Sequence, residues 1–410
     1  TTAAGNLHDT GKDLPPQFPG AVLRHHGSMP PKLRPHHSPA LLAALTAVGG
    51  VLALLGGAFL HDWPQAALWH VVFAAGAMPM IFAAMTYFTP VLTRTPEAPR
   101  ALVAIPLAAL LAALGIVAWF AHGIAAFRHI APGLGVAAAL VFLHWIGRRW
   151  RACLGRPHAC LRWYAAALAC LVLGLTAVGL SAVLPAHAGP LRAFHLHMNT
   201  LGFIGLTAIG TLQVLLPTVL GQPDPAASRR LARDLPLSVA GTLAIAIGAA
   251  WWWPLTVPGA IAYAWPLGRL LADTTRAFGS RPWRPRQASP LLVAAIGGLT
   301  LVLTHGLLHA AGSANARNAL PLFLIGFLLP LVSGAVTQLL PVWLRPGAQA
   351  EWQKSQRWRL AALARTRAAL LTLGGILAAN GLAVGSLLGI LCALWLIIAM
   401  ILSLRTATRC

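Results

Sequence analysis

Apolar stretches of 18 residues or more recur from one end of this chain to the other, and that recurrence limits its fold more than any other feature. Crossing the hydrocarbon layer of a bilayer takes a helix of about 20 predominantly apolar residues. Twelve such segments can be marked, at roughly 39–60, 67–90, 101–121, 131–147, 165–184, 193–219, 236–253, 257–273, 290–311, 319–343, 362–381 and 385–404. The eighth, broken by Pro258 and Pro266, is the least regular. Only 9% of the 410 residues are charged, against about 25% in soluble domains. Lipid offers the backbone no hydrogen bonds, so spans of this kind must be helices or closed barrels, and their length favours helices. The expectation is an all-α membrane domain over 39–410. The Pro/His-rich polar tail over 1–38 reads as a disordered cytoplasmic segment; it lacks the apolar core of a signal peptide. Its His25, His26, His36 and His37 could take a soft divalent metal, although a solvated basic tail is the simpler reading.

A formal charge of +22 raises the question of nucleic acid. The placement of the charge answers it. With the N-terminus inside, 27 of the 30 Lys and Arg residues fall on the tail, the inner loops and the C-terminus. Only Arg128, Arg192 and Arg317 fall on outer loops. This is the positive-inside pattern of a multi-pass protein of the plasma (inner) membrane, with both termini cytoplasmic. The basic loops touch anionic lipid rather than nucleic acid. The five cysteines make no C-x-x-C, so neither a redox dithiol nor covalent haem attachment is indicated.

Three segments share one pattern: WHVVFAAGAMPMIFAAMTYFTP (69–90), HLHMNTLGFIGLTAIGTLQVLLP (195–217) and PLFLIGFLLPLVSGAVTQLLP (321–341). Aligning Pro90, Pro217 and Pro341 gives spacings of 127 and 124 residues. His70 and His197 then coincide, 20 residues before their prolines, whereas the third copy has Pro321 there. Thr86, Gln213 and Thr337 coincide at four before, and Gly210 with Gly334 at seven before. The segments are spans two, six and ten, so three four-helix repeats packed with pseudo-threefold symmetry are expected.

Nine of the sixteen histidines gather at or just below the outer face under this topology: His61, His70, His122, His129, His187, His195, His197, His305 and His309. Polar groups inside a membrane are costly and tend to be functional. Neutral imidazole is the common axial ligand of b-type haem and also suits copper. His305 and His309 lie four apart, on one helical face, where they can serve one metal or one ring. His195 and His197 are two apart, about 200° around a helix, so one faces inward and the other a neighbouring helix. The repeat favours His197 as the inward one. His70 and His197 are therefore the leading axial ligands, with His305 and His309 as further haem or copper ligands. Gly76, Gly202, Gly205 and Gly210 would let backbone approach a flat macrocycle, or would serve close helix packing. Arg128, Arg192 and Arg317 could neutralise haem propionates.

At this point the pattern resembles a known group. Twelve spans, threefold pseudo-symmetry and outer-face histidines on spans two and six are similar to the haem-copper oxidase catalytic subunit superfamily. More narrowly, HLHMNTLGFIGLTAIGTLQVLLP resembles the histidine-rich helix of NnrS-type proteins, membrane proteins that contain haem and copper and are linked to nitric oxide metabolism. The resemblance implies a haem b protein, with copper as a further cofactor, meeting nitric oxide or a related small redox ligand in respiratory metabolism. Oxidoreductase activity and a homo-oligomer or a larger respiratory complex would be in keeping with it. Departures are plain. Span seven, LPLSVAGTLAIAIGAAWWWP, has no histidine, and span ten has none either. No histidine–tyrosine pair stands on span six, and Tyr87 on span two is the nearest aromatic hydroxyl in prospect. No carboxylate is expected mid-membrane, which argues against proton pumping. Two other readings fit twelve spans, a secondary transporter and a cofactor-free structural subunit of a respiratory complex. The histidines favour the first reading.

Overall fold

The computed structural model describes residues 44–45, 48–51, 55, 61–222, 224–347 and 350–408. The tail over 1–38, with its four histidines, and most of the first expected span lie outside these residues. Every regular element among the described residues is helical. The long helices are, in chain order, α1 (Gln65–Thr93), α2 (Arg100–His122), α3 (Phe127–Arg151), α4 (Cys160–Leu180), α5 (Pro185–Val219) and α6 (Ala227–Ala250). They continue as α7 (Thr256–Phe278), α8 (Ser289–Ala310), α9 (Ala316–Leu344), α10 (Ala350–Leu360), α11 (Ala364–Ala379) and α12 (Ala383–Thr408). Among the described residues, ten helical runs are long and apolar enough to cross a membrane, α10 and α11 together making one of them. The twelve expected spans are thus not all present as such. The first lies mostly outside the described residues. The eighth is a helix, α7, but Arg269, Asp273 and Arg276 in its second half leave it short of the apolarity of a lone span.

Elements that follow one another pair as antiparallel hairpins. α2 lies along α3, α6 along α7, and α11 along α12. On α6–α7 the fit depends on missing side chains: a Cβ on Gly241 would stand 2.6 Å from the Tyr263 nitrogen, and one on Gly259 2.8 Å from the Ala244 Cβ. Of the remaining helices, α1, α5 and α9 carry the three aligned segments of the sequence, and α4 and α8 pack against the middle of the latter two.

Each of these three helices changes its winding at the same place. α1 becomes a π-helix over Val71–Ala77, α5 over Met198–Leu206 and α9 over Phe323–Leu328. A π turn holds an extra residue per turn and occurs mostly in short pieces, often at functional sites. Two of the three have a local cause. Pro79 and Pro330 stand just past the π segments of α1 and α9. A proline has no N–H to give and its ring clashes with the carbonyl four residues back, here Ala75 and Gly326. Widening the helix relieves both problems.

In α5 the equivalent position is Leu206, and side chains take the place of the proline. Asn199 Nδ2 donates to the His195 carbonyl at 2.8 Å, Thr200 Oγ1 to the Leu196 carbonyl at 2.8 Å, and Tyr263 Oη of α7 to the Leu201 carbonyl at 3.0 Å. Carbonyls released from the regular ladder are satisfied, as buried backbone requires.

Candidate functional site

His70 and His197 are each the last residue before their π segment. The two side chains are held alike. His70 Nδ1 donates to the Ala66 carbonyl at 2.7 Å, and His197 Nδ1 to the Ala193 carbonyl at 2.9 Å. A carbonyl only accepts, so the ring proton lies on Nδ1 and Nε2 keeps its lone pair. Fixing a histidine through a backbone carbonyl in this way is how metal-ligating imidazoles are oriented.

The neighbouring His195 points elsewhere, as the two-residue spacing demands. Its Nδ1 lies 3.0 Å from the Gly174 carbonyl of α4 and 2.9 Å from Asn199 Nδ2. His195 is within electrostatic reach of His70, and His197 of His309. The histidines therefore fall into two neighbourhoods, His70 with His195 and His197 with His309.

His197, His305 and His309 line one cavity of about 460 Å³, together with Thr200, Trp253 and Thr256. It lies at the arginine-poor end of the bundle, between α5, α8 and α9, with the turn from α6 into α7 at its edge. Its size falls within the usual range for small-molecule sites. His305 is buried, and its Nε2 donates to the Asn315 carbonyl at 3.1 Å, leaving Nδ1 with the lone pair. His309 Nδ1 donates to the Ala314 carbonyl at 3.1 Å, leaving Nε2. Both rings are thus tied to the loop that follows α8. Among the described residues, no three or more His, Cys, Asp or Glu side chains come close enough to hold a single metal ion. The cavity imidazoles surround a space and do not converge on a point.

Other expected site residues are placed differently. His70 does not line the cavity; it packs on the Phe120 ring, centroids 4.8 Å apart. Arg192 is exposed and lies off the cavity wall. Arg128 reaches the Ser181 carbonyl and the Trp119 ring, and Arg317 sits in the short turn that opens α9. Gly202 serves packing: a Cβ there would be 2.6 Å from the Cys170 Cβ and 3.3 Å from Thr242. Gly210 lies against Trp163 in the same way, and the space beside Gly205 is taken by the Tyr263 hydroxyl.

That hydroxyl corrects the sequence reading. Tyr87 does not supply the aromatic hydroxyl nearest span six; Tyr263 bonds Leu201 and Tyr164 bonds Thr211 Oγ1, both at 3.0 Å. Neither contact could be read from spacing, because each crosses from another helix. Thr200, Trp253 and Thr256 were missed as wall residues for the same reason.

Buried Asp234 is bonded by Arg233 at 2.8 Å and by Arg269 at 2.5 Å, toward the arginine-rich end. No carboxylate lines the cavity. Compared with known proteins, the chain matches no family model, no curated protein and no solved structure.

Proposed function

We propose that this chain is a multi-pass membrane redox protein that holds a b-type haem in the cavity of His197, His305 and His309. On this reading it is akin to NnrS-type and haem-copper oxidase-like proteins, built of three four-helix units about a pseudo-threefold axis. Nitric oxide or a similar small redox ligand is the molecule it would meet. One observation carries the reading: a cavity of about 460 Å³ whose three imidazoles each have one nitrogen tied to a backbone carbonyl. The other nitrogen of each keeps its lone pair.

The donor set fits the group. Imidazoles spread around a space suit a planar cofactor that brings its own coordination plane better than a bare ion, which would need them to converge. His197 Nε2, with the free nitrogens of His305 and His309, would hold the group. Bound haem would supply one-electron chemistry and a coordination position for a diatomic ligand. The protein's part is to orient the rings through the Ala193 and Ala314 carbonyls and to shield the site with apolar wall. His70, set like His197 and near His195, offers a second place for imidazole ligation, where copper is the other candidate occupant. Repetition of the π segment on α1, α5 and α9 supports the three-unit arrangement.

An optical spectrum of the purified protein supplied with haem tests the proposal. The expected result is a Soret band that moves on reduction and again with nitric oxide. His197→Ala should abolish or shift it, whereas His144→Ala, on an exposed face of α3, should leave it unchanged. A wild-type protein that shows no Soret band after haem addition would overturn the assignment.

A further inference from the structure

A second cavity lies at the arginine-rich end, where α10 meets the last turns of α12. It measures about 510 Å³ and is lined by Gln356, Arg359, Trp395, Ser403, Arg405 and Thr406, with Ile398 and Leu402 on its apolar side. We propose that it is a binding site for an anionic phospholipid whose headgroup carries a phosphodiester and a hydroxyl, of the phosphatidylglycerol kind.

Charge is the first reason. Arg359 and Arg405 stand on the wall, and Arg367 stands behind it, its guanidinium 3.9 Å from the centre of the Trp395 ring. Arg367 is only 3% exposed; it donates to the Leu360 carbonyl at 2.8 Å, while Nε and Nη1 meet no acceptor. The ion pairs found among the described residues all lie around the α6–α7 hairpin, so none of them offsets Arg359 or Arg367. Positive charge collected between helices at the cytoplasmic-type end of a bundle attracts acidic headgroups.

The second reason is a buried amide. Gln356 is 2% exposed and lines the cavity, yet its Oε1 has no donor. A phosphate oxygen cannot supply one. A headgroup hydroxyl can, and with Arg359 holding the phosphate the two needs are met by one molecule.

The third reason is the apolar approach. Leu387, Leu391, Leu394, Ile398 and Leu402 are each at least half exposed and recur every three or four residues, forming one stripe down α12. The stripe ends in the cavity, where Ile398 and Leu402 line the wall. An acyl chain would follow it, with the headgroup at the arginines. Free phosphate would have no use for such a surface.

Spin-labelled lipids added to the full chain in phosphatidylcholine vesicles test the site. Labelled phosphatidylglycerol should show a larger immobilised fraction than labelled phosphatidylcholine. Arg359→Gln and Arg405→Gln should each weaken that preference about five-fold, the value of one basic residue near an anionic membrane surface. Arg276→Gln, a highly exposed arginine of α7, should leave it intact. Inorganic phosphate should not displace the labelled lipid. Equal immobilisation of the two lipids by the wild-type protein would overturn the proposal whatever the variants do. So would an equal loss from Arg276→Gln, which would mean diffuse surface attraction, or displacement by phosphate, which would mean a free-anion site.

Discussion

Gln213 is 2% exposed and neither atom of its amide finds a partner on the buried face of its helix. Its counterparts in the aligned segments, Thr86 and Thr337, avoid this by donating to the carbonyls of Phe82 and Ser333, at 2.8 and 2.7 Å. Leaving a buried polar group unpaired costs about 1–3 kcal/mol. Gln213→Met, similar in shape and without the amide, should therefore raise the unfolding temperature in detergent, and a fall would show that the amide has a partner in solution. His158 makes a different prediction. It precedes α4, where its Nδ1 accepts from the Cys160 N–H at 3.3 Å, and burial pushes its pKa below the ordinary 6.5. The unfolded chain then binds the proton more readily than the native one. Stability from this residue is complete above the unfolded value and declines as pH falls through the lowered native value. Melting temperature scanned from about pH 8 to 5 should drop less in His158→Asn than in the wild-type protein. Residue identity announced the titratable groups and the alignment of Thr86, Gln213 and Thr337. Whether each found a partner depended on neighbours the sequence does not list side by side.

At the scale of elements, the π segments show how a single spacing rule is broken in three places at once. Pro79 and Pro330 are visible in the sequence and explain two of them; α5 has Leu206 at the equivalent position, and there the cause is a set of side chains from α5 itself and from α7. Tyr263→Phe would leave the Leu201 carbonyl without its 3.0 Å donor. It should destabilise the protein by about 1–3 kcal/mol, and hydrogen exchange should quicken at the Met198–Leu206 amides before it does elsewhere. In α9 the Gly326 carbonyl, turned out of the ladder ahead of Pro330, lies directly against Gly298 of α8. On the other side, a Cβ on Gly375 of α11 would come 2.7 Å from the Gly326 Cα. Gly298→Ala should thus be far worse than Gly297→Ala, whose added methyl meets nothing within 4 Å. The readout is the yield of monodisperse protein and its melting temperature. Overpacking alone costs about 1–3 kcal/mol, and a collision with backbone leaves no flexible neighbour to yield.

For the whole molecule, the placement of Lys and Arg makes an orientation that can be measured. With Cys153 and Cys410 replaced by serine, a cysteine at Ser313 in the loop after α8 should react with a membrane-impermeant thiol reagent in right-side-out vesicles. A cysteine at Ser280, after α7, should react only once the membrane is opened; the reverse pattern would invert the topology. The sequence by itself determined that the chain is helical and belongs in a membrane, since long apolar runs leave lipid-embedded backbone no other way to satisfy its hydrogen bonds. It also determined that His195 and His197 point apart, a matter of distance along one helix. Tertiary structure alone decided that His197 shares a cavity with His305 and His309 while His70 turns to Phe120, that Cys170 packs against Gly202, and that Tyr263 reaches α5. Each of these depends on how one helix is rotated and offset against another. Close packing of side chains sets that rotation, and it leaves no period along the chain to read.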